Sequence, residues 1–216
     1  MNTDDVEVTK KTTPFNGYFQ VDRYRLKHKL FEGGWSGEIE REVFERGHAV
    51  TILLFDPDQD KLVFIEQFRP GAYAALASPW FDNATSPWLI ECVAGIIEPG
   101  EAPEGVARRE AVEEADCAVS DIISVSHCLV SPGATSESMF VYCGRVNAPE
   151  SGGIHGLKEE NENIRVIVVS PDEAFRWLDE GRIVNAMTVI TVQWFRIHGD
   201  EVRARWGASE TPSAAP

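Results

Sequence analysis

Apolar and charged residues alternate from Tyr18 to Phe31, as they do in a half-buried strand. Gly33-Gly34 and Ser36-Gly37 mark a turn, and Glu38–Arg46 alternates again. Ala49–Phe55 is apolar, residues 56–60 form a turn, and Lys61–Phe68 is apolar once more, so residues 47–68 predict a hairpin. Residues 71–87 keep no period and read as a long loop or insertion. Trp88–Val93 predicts a strand, followed by the loop GIIEPG at 95–100. Pro103 suits the first turn of a helix that runs to about Ala115. Ile122–Val130 and Met139–Val146 predict two strands around the loop SPGATSE at 131–137. Residues 147–163 are polar, and Ile164–Val169 predicts a short strand. Pro171–Glu180 and Ala186–His198 have helical periodicity, with Gly181 as a stop. This order predicts an α+β chain or a mixed α/β/α sandwich.

Composition narrows the partners. A chain of 216 residues holds one domain with additions, or two small ones, and needs no disulfide to complete its core. Against 35 Asp and Glu stand 20 Lys and Arg, a net charge of −15 that repels a phosphate backbone and argues against a nucleic-acid partner. Phosphates can still bind through local arginines or through metal ions held by carboxylates. Cys92, Cys117, Cys128 and Cys143 form no C-x-x-C pair, so buried free thiols in a reducing compartment are expected. The N-terminus has no apolar signal core, and the longest apolar stretch, Ala49–Phe55, is too short for a membrane span. A cytoplasmic protein is the expectation. The small polar tail after Trp206 reads as disordered.

The chemistry concentrates between Gly95 and Cys117. On a helix, Glu110 and Glu114 lie about 40° apart and Glu113 about 60° to the other side of Glu110. Like charges at that spacing repel, and a hard divalent cation would offset the repulsion. Taken alone, E-x-x-E-E is more often a solvated acidic helix face.

The complete spacing favours function. The segment resembles the Nudix box, G-x5-E-x7-R-E-U-x-E-E-x-G-U, where U is a bulky apolar residue. Gly95, Glu101, Arg109, Glu110, Glu113 and Glu114 match six of its seven fixed letters. Asp116 replaces the last glycine and Ala111 the first bulky position. Asp tolerates the left-handed conformation that such a glycine supplies, and neither change removes a carboxylate. Similarity to the ADP-ribose pyrophosphatases of the Nudix superfamily extends over residues 15–198. FERGHAV at 44–50, IEQFRPGAY at 65–73, PWLIECVAGIIEPGE at 87–101, SPGATSE at 131–137 and IHGLKEENENIRV at 154–166 carry it. Pro132, 15 residues beyond Cys117, matches a proline associated with ADP-ribose specificity.

The resemblance implies a Nudix-type α/β/α sandwich at 49–206, an N-terminal antiparallel β domain at 1–48 that is exchanged in a homodimer, and a disordered tail at 207–216. It also implies Mg²⁺-dependent hydrolysis of ADP-ribose to AMP and ribose 5-phosphate, with Mn²⁺ as a possible substitute. By the same resemblance, Glu110, Glu114, Glu162 and the carbonyl of Ala94 hold metal. Glu160 is the general base, and Arg109 orients the carboxylates. Tyr18, Phe19, Arg41, Glu42, Arg46, Arg69, Ile96, Ser131, Gly133 and Glu137 match substrate-binding positions. Without the resemblance, the Glu159–Glu162 cluster would read as a solvated acidic loop. The stretch 71–87 is longer than the family pattern, which bears on specificity rather than chemistry. Two alternatives stand beside this reading: a Nudix hydrolase of another nucleoside diphosphate sugar, and a non-catalytic nucleotide-sensing Nudix module, which would be expected to have lost its box glutamates.

Overall fold

The computed structural model describes residues 1–81, 85–150, 152–157 and 161–207. The chain forms two compact units, Met1–His48 with Cys128–Met139, and Ala49–His127 with Phe140–Pro216.

In the first unit, β1 (Val6–Asn16), β2 (Gln20–His28) and β3 (Ile39–Glu45) form an antiparallel sheet in the order β1-β2-β3. β2 and β3 fall where alternation predicts strands. β1 was not expected, for a physical reason: all 11 of its residues are exposed, so no apolar alternation marks it. One face carries cross-strand ion pairs, Arg23–Glu42 at 2.7 Å and Arg25–Glu40 at 2.6 Å. Among the described residues, Asp22 is the one buried residue of the three strands. It pairs with Lys11 at 2.7 Å and accepts from Thr13 at 2.6 Å and Gln20 at 2.8 Å.

The second unit is built on a larger sheet. β4 (Ala49–Asp56) and β5 (Lys61–Phe68) form the predicted hairpin, but they pair only from Leu54–Val63 to the turn. Beyond that they splay. The single strand expected at Trp88–Val93 is instead two, β6 (Trp88–Glu91) on β5 and β7 (Val93–Ile96) on β4, with Cys92 as the break. Splaying thus admits the start of the carboxylate motif into the middle of the sheet. β8 (Asp121–Leu129), β9 (Ser138–Arg145), β10 (Ile154–His155) and β11 (Ile164–Val169) complete the order β10-β11-β5-β4-β9-β8.

Among the described residues, four α-helices accompany the strands. α1 (Pro70–Ala75) occupies part of the stretch read as a loop, where Pro70 preorganises the first turn. Residues 82–84 of that stretch lie outside the described residues. α2 (Pro103–Ala115) matches its expected limits, and Asp116 closes it in the left-handed conformation at φ 52°. α3 (Pro171–Asp179) is capped by the Ser170 side chain, and Gly181 follows at φ +71°. α4 (Ala186–Trp206) runs beyond the expected end at His198, because Val202 and Trp206 add buried contacts to its apolar side.

Alternation along the central strands creates two cores. Val50, Ile52, Leu54, Val63 and Ile65 pack against Val106, Ala107, Ala111 and Ala115 of α2. Leu53, Phe55, Leu62 and Phe64 pack on the opposite face against Ala174 and Trp177 of α3 and Val192, Phe195 and Trp206 of α4. The result is the expected α/β/α sandwich. All four cysteines are free, three of them buried. Among the described residues, no helix is long and apolar enough to cross a membrane. The tail at 208–216 lies outside the described residues.

Candidate active site

Glu110 and Glu114 occupy the side of α2 that meets β7. The backbone N–H of Ala94 donates to Glu114 Oε2 at 3.2 Å. Glu110 lies directly over Gly95, where an added Cβ would meet its carboxylate oxygen at 2.1 Å. A side chain at Gly95 would therefore displace the Glu110 carboxylate, and backbone conformation does not require the glycine. Glu114 is 4% exposed, and burial pushes its carboxyl up to about 8. Burial likewise pushes Glu110 up to about 7. The charge of Glu162 adds to both shifts, so the three carboxylates share one electrostatic site.

Two backbone contacts locate Glu162. Its Oε2 accepts the N–H of Leu157 at 2.9 Å, and the N–H of Gly156 donates to the carbonyl of Glu113 at 3.3 Å. Gly156 adopts φ +98° with Glu162 packed against it, so a side chain there meets both strain and a clash. Arg109 lies among the motif carboxylates, 3.0 Å from Glu110, 2.8 Å from Glu113 and 3.5 Å from Glu101. Glu101 Oε2 also accepts the N–H of Glu98 at 2.9 Å and closes the loop before α2. Among the described residues, no group of three or more His, Cys, Asp or Glu side chains is gathered so that it could hold a metal ion. Protein donors hold the carboxylates instead, namely the Ala94 N–H, the Leu157 N–H and Arg109. Glu160 lies outside the described residues.

The expected substrate contacts divide between the two units. Arg69 and Ile96 belong to the second unit with the carboxylates, Ile96 at the end of β7 opposite Ala49. Tyr18, Phe19, Arg41, Glu42, Arg46, Ser131, Gly133 and Glu137 belong to the first. Within it, Arg46 lies over the Phe19 ring at 5.9 Å and pairs with the buried Glu137 at 3.0 Å. Phe19 contacts Tyr18 and Phe44 edge-on, at 4.8 and 5.0 Å. The 131–137 loop is tied to β3 by the N–H of Phe44 donating to Ala134 at 2.8 Å, and the Ser131 carbonyl accepts from Thr135 at 2.9 Å. Gly133 has open space around it. Arg41 and Glu42 are engaged elsewhere: Arg41 donates to the Glu40 carbonyl at 2.7 Å, and Glu42 pairs with Arg23. As neighbours on a strand they point to opposite faces.

One buried carboxylate has no place in the motif. Glu91 on β6 is 3% exposed and accepts from Arg69 Nε at 2.7 Å and from Asn185 Nδ2 at 2.6 Å. Burial raises its pKa, against the pull of Arg69. Its signal in the sequence is faint, a lone acid inside the apolar run Trp88–Val93.

A carboxylate helix on a mixed sheet, with its first glycine clasped beneath it, defines a class of protein. The NUDIX domain profile matches residues 45–188, and this chain belongs to that family. At 48% identity the chain is similar to the ADP-ribose pyrophosphatase of Escherichia coli K12, over 94% of this chain and 93% of that protein. Similarity to the ADP-ribose pyrophosphatase of Haemophilus influenzae is 39%, over 95% and 92%. A GDP-mannose pyrophosphatase of Yersinia pestis is 30% identical over 84% and 86%. Among solved structures, a crystal structure described as an ADP compounds hydrolase superposes with a TM-score of 0.67, over 92% of this chain and 97% of that one, at 18% identity.

Proposed function

We propose that this chain is a divalent-metal-dependent ADP-ribose pyrophosphatase, cleaving the diphosphate of ADP-ribose to give AMP and ribose 5-phosphate. The observation that carries the reading is the placement of Glu110 and Glu114 on the side of α2 that faces Ala94 and Gly95, in a chain 48% identical over nearly its whole length to a protein of that name. Its fit to a metal rests on the donor set. Burial first, and the like charge of neighbouring carboxylates after it, push these carboxyls up to about 7 and about 8, and a hard cation offsets both. Oxygen donors suit Mg²⁺, with Mn²⁺ as the substitute. Glu110, Glu114, Glu162 and the Ala94 carbonyl would hold the ion. When bound, it neutralises the diphosphate and lowers the pKa of an attacking water.

The chain's own residues do the rest. Arg109 holds Glu110 and Glu113 in register through a three-way ion pair. Arg69 and Arg46 supply forked donors for phosphate oxygens, and Tyr18 with Phe19 supply aromatic faces for the adenine. Glu160 serves as the general base that takes the proton from water. The chain acts as a homodimer through its N-terminal sheet, in the cytoplasm, where its four free cysteines persist. Hydrolysis of another sugar nucleotide is the second reading, favoured by the relative named GDP-mannose pyrophosphatase.

A product assay on ADP-ribose beside GDP-mannose and other sugar nucleotides, with and without Mg²⁺, tests the proposal. The expected outcome is Mg²⁺-dependent AMP release with ADP-ribose preferred, and a loss of at least about 10³-fold in Glu114→Gln. Preference for another sugar nucleotide would move the reading to the second alternative. An inactive wild type would point to a sensing module.

A further inference from the structure

Arg69 is held from behind. Its backbone N–H donates to the Pro87 carbonyl at 2.9 Å, and its Nε donates to Glu91 Oε2 at 2.7 Å. The second oxygen of Glu91 accepts from Asn185 Nδ2 at 2.6 Å. Asn185 is itself anchored as the N-cap of α4, its Oδ1 accepting the N–H of Thr188 at 3.1 Å. Thr188 Oγ1 in turn accepts the N–H of Cys92 at 3.0 Å, which ties the cap back to the break between β6 and β7. The amide of the buried Gln67 lies against the same carboxylate, although its nitrogen closes no well-formed hydrogen bond. Glu91 is thus a buried carboxylate with both oxygens engaged and Arg69 as its ion-pair partner.

The free side of Arg69 is as informative as the bound side. Among the described residues, its Nη1 and Nη2 groups have no ion pair or hydrogen bond, while the side chain is 39% exposed. Its charge acts on Glu114 and opposes the rise of that carboxyl. An arginine fastened by Nε keeps two parallel N–H groups for a planar or tetrahedral oxyanion. Fastening also removes most of the rotamer freedom that a long side chain would otherwise lose on binding.

We propose that Glu91 and Asn185 are positioning residues that fix Arg69, so that its Nη groups meet the diphosphate of the substrate beside the Glu110–Glu114 pair. The inference rests on the pyrophosphatase reading and adds a support to it that lies outside the Nudix motif. Neither residue touches the substrate. Helix α4, on the opposite face of the sheet from α2, thereby contributes to the site through the cap at its first turn.

The test compares ADP-ribose hydrolysis by the full chain with Glu91→Gln, Asn185→Ser, Arg69→Ala and the double variant Glu91→Gln/Arg69→Ala. Ser caps a helix about as well as Asn but is too short to reach Glu91, so Asn185→Ser separates the clamp from the cap. Glu91→Gln is expected to raise KM about tenfold with kcat within about twofold, as loss of ground-state and transition-state binding alike requires. Asn185→Ser is expected to raise KM about threefold in the same way. On the Arg69→Ala background, Glu91→Gln is expected to change KM by less than about twofold, because the residue it positions is gone. The swap Glu91→Gln/Asn185→Asp restores a donor–acceptor match at each contact and is expected to recover most of the loss. An unchanged KM in folded Asn185→Ser and Glu91→Gln, or an equal effect of Glu91→Gln with and without Arg69, overturns the inference while leaving the pyrophosphatase reading intact. Should Glu91→Gln fail to fold, Asn185→Ser decides. A wild type inert toward ADP-ribose overturns both.

Discussion

The two units solve the problem of burial in opposite ways. The second unit sandwiches its sheet between α2 on one face and α3 with α4 on the other, and its central strands are almost wholly enclosed. In the first unit β1 is exposed along its full length, the one buried side chain of the three strands is an aspartate, and Val6, Val8, Phe15, Phe31 and Trp35 face solvent. A sheet of this size cannot stand on its own apolar burial. The metal-binding chemistry proposed here resides entirely in the unit that owns a core, where a site can be held rigid. Of the residues proposed for recognition, most lie in the unit that lacks one, while Arg69 and Ile96 lie in the unit that owns one.

Core truncation should separate the units most sharply. Phe195 is fully buried and meets Phe55 at 4.8 Å, so Phe195→Ala is expected to cost about 3–5 kcal/mol and lower Tm by about 10 °C in calorimetry. Phe44→Ala in the first unit should cost about 1 kcal/mol in the monomer, since its ring is 37% exposed and contacts chiefly Phe19. A comparable loss at both positions would mean that the first unit has a core of its own.

Displacing Glu110 should come next. Gly95→Ala is expected to lower kcat/KM by about 10²-fold while the helix remains folded, measured by steady-state kinetics beside circular dichroism. Wild-type rates in that variant would break the link between Gly95 and the carboxylate site.

Acidity provides a third test. Glu110 and Glu114 titrate near 7 and 8 when folded, above their ordinary value of 4.5. Between those limits the folded chain holds more protons than the unfolded one, so stability without metal falls as pH rises from about 5 to 8. Added Mg²⁺ should reverse the decline above pH 7 and release protons into a weakly buffered solution. A Tm that rises with pH in chelator would contradict this.

The smallest effect belongs to the exposed ladder of the first unit. Arg25→Gln removes the pair with Glu40 and should shift Tm by no more than about a degree, an effect erased by high salt.

Legibility followed burial. The limits of α2 could be read because Pro103 begins it and Asp116 ends it in the left-handed conformation, both local signals. β4 and β5 were legible because period two sorts their side chains between two cores. β1 was invisible for the converse reason. The Cys92 break, where β6 leaves β5 and β7 joins β4, follows from hairpin splaying that no window of sequence contains. Of the proposed metal set, helical spacing alone put Glu110 and Glu114 on one face, which by itself reads as a solvated acidic surface; the role of all four groups, Glu162 and Ala94 included, entered through the resemblance.

Sequence alone determined the class, the carboxylate helix and the spacing of Gly95 to Glu110, because period, cap and motif are properties of neighbouring residues. Tertiary structure decided which carboxylates are buried together, why Gly95 bears no side chain and what holds Arg69. Each of these depends on groups brought close from distant positions, as Glu91 is to Asn185 across 94 residues. Their energies arise from shared desolvation and contact, quantities that exist only once the chain has folded.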